Sequence, residues 1–415
     1  MLLNRIFFGM FLIAMVMGLE KLIRWQDVTI FEKMMKALFD AATNGFTLSI
    51  GLTGALCFWL GFMKVGEAGG AIRHLTRLVS PLFSKIFPEV PKDHPAIGSM
   101  MMNISANMLG LDNSATPMGL KAMKELQTLN PNPDTATNAQ IMFLVLNASG
   151  LTIIPVSILA ARSAAGSNSP SEVFLPILIS TFFATLAALI FVGVKQKINL
   201  FNKTILAYVG TLTIGIVGLI VYLNYHPDMV EVVSSVGSNV TLFTIITGFI
   251  LLAIRAKVNI YENFIEGAKE GFGVAIGIIP YLVGMLCAIA VFRECGAMQE
   301  LTNGLRNLLI FCGVVHTEFV DAMPVAFMKP FSGSGARSLM METFKTNGVS
   351  TVDTFISKVA ATFQGSTETT FYVLAVYFGS VKVTNTRYAA MGGIIADIAG
   401  VITAILVSYL FYQIK

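Results

Sequence analysis

Apolar residues run in long unbroken stretches separated by short polar ones, with no alternation of the kind a strand would show. A run of about 20 apolar residues is long enough to cross the hydrocarbon core of a bilayer as a helix. Eight such stretches stand out, at 46–63, 141–160, 174–194, 205–223, 240–254, 272–292, 355–378 and 389–411. A ninth, 6–19, follows Arg5 and precedes Glu20 and Lys21. It resembles the charged and apolar regions of a signal peptide, but no small-x-small cleavage site follows, so a retained first helix is expected. Being short for a span, it should either extend past Leu22 and Ile23, with Lys21 snorkelling, or lie partly in the interface. The pattern predicts nine crossings, helical because backbone polar groups in lipid must be satisfied within their own segment.

Between the runs the chain is not simply looped. Segments 66–90 and 296–312 read as amphipathic helices along the membrane surface. In the first, Ile72, Leu75, Leu78 and Val79 share a face from which Arg73, His74 and Arg77 are excluded. Segments 95–127 and 320–346 are too polar to face lipid and too apolar for exposed loops. Gly110, Pro117, Pro324, Pro330, Gly333 and Gly335 interrupt them, as expected of re-entrant hairpins buried inside protein at membrane depth.

This order occurs twice. Residues 39–79 align without gaps to 265–305, matching Ala42, Gly45, Phe46, Ile50, Gly51, Leu56, Gly70, Ala71, Leu75 and Thr76 with Ala268, Gly271, Phe272, Ile276, Gly277, Leu282, Gly296, Ala297, Leu301 and Thr302. Each half then runs through an amphipathic helix, a polar hairpin, a span with a polar middle and a final span. Five crossings separate the two starts, and an odd number inverts the second repeat relative to the first. The expected fold class is therefore an all-α polytopic membrane protein of two inverted repeats, each with a re-entrant polar hairpin, an interfacial amphipathic helix and a broken span. The expected domains are an N-terminal helix and connector (1–38), a first repeat (39–200), linking transmembrane helices (201–258) and a second repeat (259–415).

Composition narrows the class further. Of 415 residues only 13% are charged and 55% are hydrophobic, with 36 Gly, 31 Phe and 22 Met; the mean hydropathy is +0.73. Soluble domains carry about 25% charge, so a disordered chain, a nucleic-acid-binding protein and an ordinary cytosolic enzyme are excluded. The net charge of +4 needs no anionic partner. Lys and Arg cluster at 64–92, at Lys121 and Lys124, at Lys195, Lys197 and Lys203, and at Arg255, Lys257 and Lys269, which places those loops and the N-terminus in the cytoplasm. Lys21, Arg24, Lys33 and Lys36 then fall on the opposite side, against that rule. The four cysteines match no zinc or redox spacing, and Cys57 and Cys287 sit inside apolar runs as small hydrophobes.

Intramembrane polarity is confined to four stretches. Asn103–Thr116 contains Asn107, Asp112 and Asn113; a carboxylate and carboxamides at that depth suit a cation or a hydrogen-bonding solute, or else cap a half-helix. Asn147-Ala-Ser149-Gly-Leu-Thr152, followed by Pro155, suits an unwound stretch whose freed carbonyls hold a ligand, or a kinked helix with back-bonded hydroxyls. Pro330-Phe-Ser332-Gly-Ser334-Gly-Ala-Arg337 resembles a glycine-rich anion nest without the Lys-Ser/Thr of a P-loop. Its alternative is tight hairpin packing, with Arg337 bridging to Asp321 or Glu368. Gln364-Gly-Ser366-Thr367-Glu368-Thr-Thr370 is the densest polar run in any span, and Glu368 is its foremost candidate as a proton or sodium carrier or a solute acceptor. Alternatively its charge lies against Arg337 or Lys358. Ser149 aligns loosely with Ser366. His316, Glu318 and Asp321 offer three metal-type ligands but no HExxH, and a solvated loop is the stronger expectation. No nucleophile elbow occurs, so no enzyme, no catalytic residue, no cofactor and no metal site are expected; Na+ or H+ enters only as a coupling ion.

Three of these stretches carry a family resemblance. Residues 106–123, ANMLGLDNSATPMGLKAM, resemble the signature of spore maturation protein A. Residues 330–342, PFSGSGARSLMME, and 363–380, FQGSTETTFYVLAVYFGS, resemble spore maturation protein B. The chain thus looks like a natural fusion of the two, both of the nucleoside-recognition or Gate family, related to concentrative nucleoside transporters and to the gate of the ferrous iron transporter. The resemblance implies a transporter-like inverted-repeat core in a bacterial inner membrane. By that analogy Asn107, Asp112, Asn113, Asn147, Ser149, Thr152, Ser332, Ser334, Gln364, Ser366, Thr367 and Glu368 line the site, and Arg337 joins them as the nest's cation. Nucleoside transporters carry Gln-Thr/Ser-Glu on a hairpin, whereas Gln364–Glu368 falls in a broken span, so a nucleoside is not implied as substrate. The expected function is transport of a small polar solute, nucleoside-like, peptide or cell-wall-related, by alternating access. The alternative is a non-transporting membrane partner in cell-wall or spore maturation. Expected partners are the lipid bilayer, the solute, a homo-oligomer and a cell-wall enzyme, without nucleic acid.

Overall fold

The computed structural model describes residues 2–110, 112–346 and 349–412, with side chains for 5–110, 115–344 and 350–412. The described chain is helical apart from a two-residue antiparallel ladder, Lys345–Thr346 with Val349–Ser350. Seven helices among the described residues are long and apolar enough to cross a membrane. The first is α1 (Leu2–Arg24), which extends past Leu22 and Ile23. The second, α2 (Ile30–Ala68), begins well before the apolar run at 46. Glu32, Lys33, Lys36 and Asp40 hide that start from a hydropathy reading, yet Ile30, Met34 and Ala41 lie between them on a buried stripe. At 39 residues, α2 is roughly 58 Å long, twice the hydrocarbon thickness, so it projects into water.

Gly70, at φ 88°, turns the chain from α2 into the amphipathic helix α3 (Ala71–Ile86). A helical hairpin follows, α4 (Pro95–Met108) and α5 (Asp112–Gln127). The expected span 141–160 is divided into α6 (Asn138–Ser149) and α7 (Val156–Ala164), and α8 (Phe174–Lys195) closes the first set. Two outer helices follow: α9 (Lys203–Ile205) runs through a π-turn into α10 (Thr211–Tyr225), and α11 (Met229–Val232) through another into α12 (Ser238–Ala256). Leu223 is the one buried residue of α10, whereas Ile214 is 75% exposed; such an apolar face belongs against lipid.

The order then recurs. Long helix α13 (Ile260–Glu294) turns at Gly296, φ 93°, into amphipathic α14 (Ala297–Phe311). A second hairpin is built from a 3-10 turn, α15 (Met323–Met328) and α16 (Gly333–Glu342). The expected span 355–378 is divided into α17 (Phe355–Ser366) and α18 (Thr370–Ser380), and α19 (Ala389–Tyr412) ends the set. The two divided spans begin alike: Thr137 caps α6 through a capping box with Gln140, and Thr354 caps α17 through the Ser357 N–H.

The most extensive helix contact is between α2 and α13. Small residues allow it. A Cβ on Gly271 would stand 2.7 Å from the Leu56 carbonyl oxygen, and one on Gly61 would stand 2.6 Å from the Phe264 ring. In lipid, where apolar burial between helices gains little over lipid contact, such close backbone approach is a main source of association.

The two sets also exchange contacts where the divided spans begin. Fully buried Arg162, at the end of α7, donates to the Val352 carbonyl and to Asp353 Oδ1, both at 2.8 Å. Ser167 Oγ donates to the same Asp353 oxygen at 2.5 Å, and the Asn168 N–H to the other at 2.9 Å. At the start of α6 the roles are exchanged: the Ala136 N–H donates to the Asn385 carbonyl at 2.9 Å, and Arg387 to the Ala136 carbonyl at 3.0 Å. Burial opposes ionisation of Asp353, but the Ser167 and Asn168 donors and the Arg162 charge outweigh it and hold its carboxyl below the usual carboxylate range.

Two outcomes follow from this packing. Gly271→Val should lower stability by about 1–3 kcal/mol through overpacking, seen as a lower melting temperature of detergent-purified protein; an unchanged melting temperature would contradict the close approach. Asp353→Ala strands the buried Arg162 charge and should cost about 3–5 kcal/mol. Because the folded-state pKa of Asp353 is depressed, its contribution is complete above the ordinary carboxylate range and is lost as pH falls through the depressed value. Stability of the native chain should therefore drop below about pH 4 more steeply than that of Asp353→Asn. Parallel acid-melting curves would refute the assignment.

Candidate solute-binding site

A divided helix leaves carbonyls at the end of its first half and N–H groups at the start of its second without intrahelical partners. Here the hairpins and the opposite break supply them. In the first break, the Ile153 N–H donates to the Met108 carbonyl at the end of α4, at 2.7 Å. In the second, the Phe371 N–H donates to the Pro330 carbonyl of the other hairpin at 2.9 Å. The breaks also meet one another: the Glu368 N–H donates to the Ala148 carbonyl at 2.9 Å. Gly150, at φ 54°, makes that meeting feasible, since a Cβ there would lie 2.8 Å from Glu368 Cγ.

Between these elements and the long helices lies a cavity of about 230 Å³. Its apolar wall comes from Leu52, Leu56 and Leu60 of α2 and from Val274 and Ile278 of α13. Its polar wall comes from the end of α4 (Asn107), the first break (Thr152), the second hairpin (Lys329, Gly333, Arg337) and the second break (Gln364, Thr367, Glu368, Thr369). An apolar cleft with a few converging polar groups is the usual form of a small-molecule site. Two cations and one carboxylate face it among the described residues, and the N-terminus of α16, with its partial positive charge, opens onto it at Gly333.

The structure distributes the thirteen expected site residues unevenly. Asn107, Thr152, Arg337, Gln364, Thr367 and Glu368 line the cavity. Buried Asn147 stands behind it, accepting from Asn107 Nδ2 at 2.7 Å and donating to the Phe143 carbonyl at 2.8 Å, so it orients Asn107 from the second layer. Ser149 and Ser366 are the last residues of α6 and α17. Each donates its hydroxyl back into its own helix, to the Leu146 and Phe363 carbonyls at 2.9 Å, and neither lines the cavity. Ser332 caps α16, accepting from the Gly335 N–H at 3.0 Å, and lies 3.3 Å from the Ser334 hydroxyl; the cavity wall beside this pair is Gly333. These four serines are placed as helix-end residues because a hydroxyl two to four residues from a free carbonyl or N–H finds it before any ligand does. The side chains of Asp112 and Asn113 lie outside the described residues.

Several expected pairings resolve differently. Asp321 accepts from Arg306 at 2.7 Å, and Lys358 pairs with Glu172 at 2.6 Å, so neither is the partner of Arg337 or Glu368 that the sequence offered. Glu318 accepts from the Tyr409 hydroxyl at 2.6 Å, a bond that holds its carboxyl below the ordinary range. Among the described residues no group of three metal-type ligands gathers, at His316 or elsewhere.

Two buried ionisable residues stand outside the expected site set: Lys329, which the sequence places among the polar residues of segment 320–346, and Asp397, which it leaves unremarked. Lys329, 7% exposed, lines the cavity from the end of α15. Asp397, also 7% exposed, lies within α19 and accepts from the Thr370 hydroxyl at 2.8 Å. The signal for Asp397 was present: a single carboxylate inside an apolar span is costly and invites a functional reading.

Comparison with known proteins agrees with this architecture. A nucleoside-recognition (Gate) family model matches residues 49–223. Spore maturation protein A of Bacillus subtilis (strain 168) is 40% identical over 155 residues, which cover 37% of this chain and 79% of that protein. Spore maturation protein B of the same organism is 39% identical over 168 residues, covering 40% of this chain and 90% of that protein. A multi-pass membrane chain similar to two separate proteins, each over part of its own length, joins both types in one polypeptide, and it belongs to the spore maturation protein A and B family.

Proposed function

We propose that this protein binds a small polar solute in the cavity between its two helix sets and carries it across the bacterial cytoplasmic membrane by alternating access. The observation that supports the reading above others is the composition of the cavity wall: ends of both hairpins and both helix breaks contribute polar groups to one half-open cavity whose other side is the apolar wall of α2 and α13. If the divided span α6–α7 crosses the membrane, as α2, α8, α10 and α12 are long enough to do, five crossings separate the starts of α2 and α13 and the two helix sets would run in opposite senses. Inverted repeats whose discontinuous helices meet at a midplane site are the usual architecture of secondary transporters, and their alternate exposure follows from rocking one repeat against the other. The long α2–α13 contact is then the frame, and the hairpins and breaks are the moving parts.

The solute is of the nucleoside-like, peptide or cell-wall-fragment class. Lys329, Arg337 and Glu368 favour one that carries charge or strong hydrogen-bonding groups, while the leucines of α2 cover its apolar part. Glu368 is the acceptor placed to distinguish such solutes, and coupling to Na+ or H+ would draw on the same intramembrane carboxylates. The protein acts as a carrier rather than a catalyst. Service as a non-transporting membrane partner in cell-wall or spore maturation, the process named in its relatives, is the competing reading; it gives no reason for polar groups of both hairpins and both breaks to be gathered around one cavity.

Detergent-purified protein should be melted in the presence of nucleosides, short peptides and cell-wall fragments. A true solute present at 100 times its dissociation constant stabilises by about 2.7 kcal/mol. Glu368→Gln should weaken that binding about ten- to a hundredfold, the worth of a charged hydrogen bond. The same solute should enter proteoliposomes faster than empty vesicles. Binding without flux would favour the partner reading, and the absence of any stabilising solute would remove the carrier.

A further inference from the structure

Asp397 sits where nothing in its own helix explains it. Its neighbours Ala396, Gly393 and Gly400 are small, and they bring α19 against the second helix break: a Cβ on Gly400 would lie 2.9 Å from Thr367 Cγ2 and 3.3 Å from the Ser366 carbonyl oxygen. The Thr370 hydroxyl donates to Asp397 Oδ2 at 2.8 Å, whereas Oδ1 is buried with no hydrogen-bond partner among the described residues. No cation lies within ion-pair distance of the carboxyl among the described residues. Lys329, itself lining the cavity, is the charged group among the described residues that acts on it; no charged side chain of α6, α8, α17 or α18 does so. A carboxylate inside an apolar span with only the neutral hydroxyls of Thr370 and Thr367 beside it among the described residues is costly to keep charged.

We propose that Asp397 is a proton-binding site tied to the solute cavity. A proton needs only one free lone pair, and Oδ1 offers one. A sodium ion needs a shell of several oxygens, while the hydroxyl oxygens beside this carboxylate among the described residues are those of Thr367 and Thr370. On binding, an O–H bond forms at Oδ1 with a proton drawn from water in the cavity, and the same bond breaks on release; nothing is oxidised or reduced. The link to the cavity is short. Thr367 and Thr369 line it, and Thr370, the donor to Asp397, is the first residue of α18. A shift of the break as solute enters moves that donor and changes the affinity for the proton. By thermodynamic reciprocity, the proton changes the affinity for solute equally. That coupling rests on the carrier reading; the protonation itself does not.

The test is infrared difference spectroscopy of purified, membrane-reconstituted protein stepped from acid to alkaline pH without solute, with linkage predicting exchange of about one proton at this site. The wild type should show a carboxylic C=O band at the acid end that is replaced by carboxylate at the other. The band should be missing in Asp397→Asn and should titrate at a different pH in Thr370→Val, which keeps the carboxyl and removes its donor. If Asp397→Asn fails to fold, the displaced titration in Thr370→Val carries the test. Three results would overturn the proposal: the same band in Asp397→Asn, a band that never titrates, or one that is displaced by sodium at constant ionic strength, which would make the site a metal site. Proton exchange at Asp397 with no solute flux in vesicles would leave this assignment standing and defeat the carrier. Flux without exchange would do the reverse.

Discussion

Backbone hydrogen bonding in a medium without water governs this molecule. Dividing two spans frees peptide groups at a depth where each unsatisfied one costs several kcal/mol. The hairpins exist in answer to that constraint. Met108 and Pro330 give their carbonyls to Ile153 and Phe371, and the two breaks meet through Glu368 and Ala148. Once these partners are required, the hairpins must reach membrane depth and the breaks must lie side by side. Polar side chains can gather beside them because the surrounding backbone has already excluded lipid. The cavity follows from how the backbone was satisfied, and the residues that line it occupy positions fixed by that need.

Close approach is the second requirement, and glycine and other small residues supply it in both repeats. Gly45 on α2 and Gly271 on α13 match one another in the sequence alignment, and each lies where a Cβ would press on the opposite long helix. Gly70 and Gly296 match likewise, and both adopt the left-handed conformation that turns the chain from a long helix into an amphipathic one. The same local solution thus recurs at aligned positions of the two helix sets.

Much of this was legible in advance. Long apolar runs placed the spans, Gly and Pro marked the hairpins, and polar residues inside 141–160 and 355–378 marked where those spans divide. The start of α2 was hidden because an amphipathic helix leaving the membrane has no apolar run, only the buried stripe Ile30, Met34 and Ala41. The serines were misjudged for a related reason. Ser149, Ser332 and Ser366 read as ligand groups by type and location, but position relative to a helix end decides what a hydroxyl does, and helix ends inside a broken span are set by tertiary contacts. Asp397 was passed over because it stands alone among apolar neighbours, without the density of polar residues that drew notice to Gln364–Thr370, whereas Lys329, next to Pro330–Arg337, reads as hairpin polarity and not as a wall of the cavity.

The two ends of the divided spans are tied unequally, and that asymmetry bears on how a carrier of this form would move. At the start of α17, a fully buried guanidinium, a carboxylate and a serine hydroxyl lock the connector after α7 to Asp353. At the start of α6, the corresponding contacts are backbone bonds together with an exposed Arg387 donating to neutral oxygens. Removing one partner of an ion pair with a fully buried guanidinium costs about 3–5 kcal/mol, while hydrogen bonds from the exposed Arg387 contribute less because water competes for both groups. Rocking one repeat against the other strains both ends, and the weaker yields first. In a carrier of this form the Arg162 end would then act as the pivot and the Arg387 end as the mouth, unless solute binding supplied enough energy at the breaks to reverse the order.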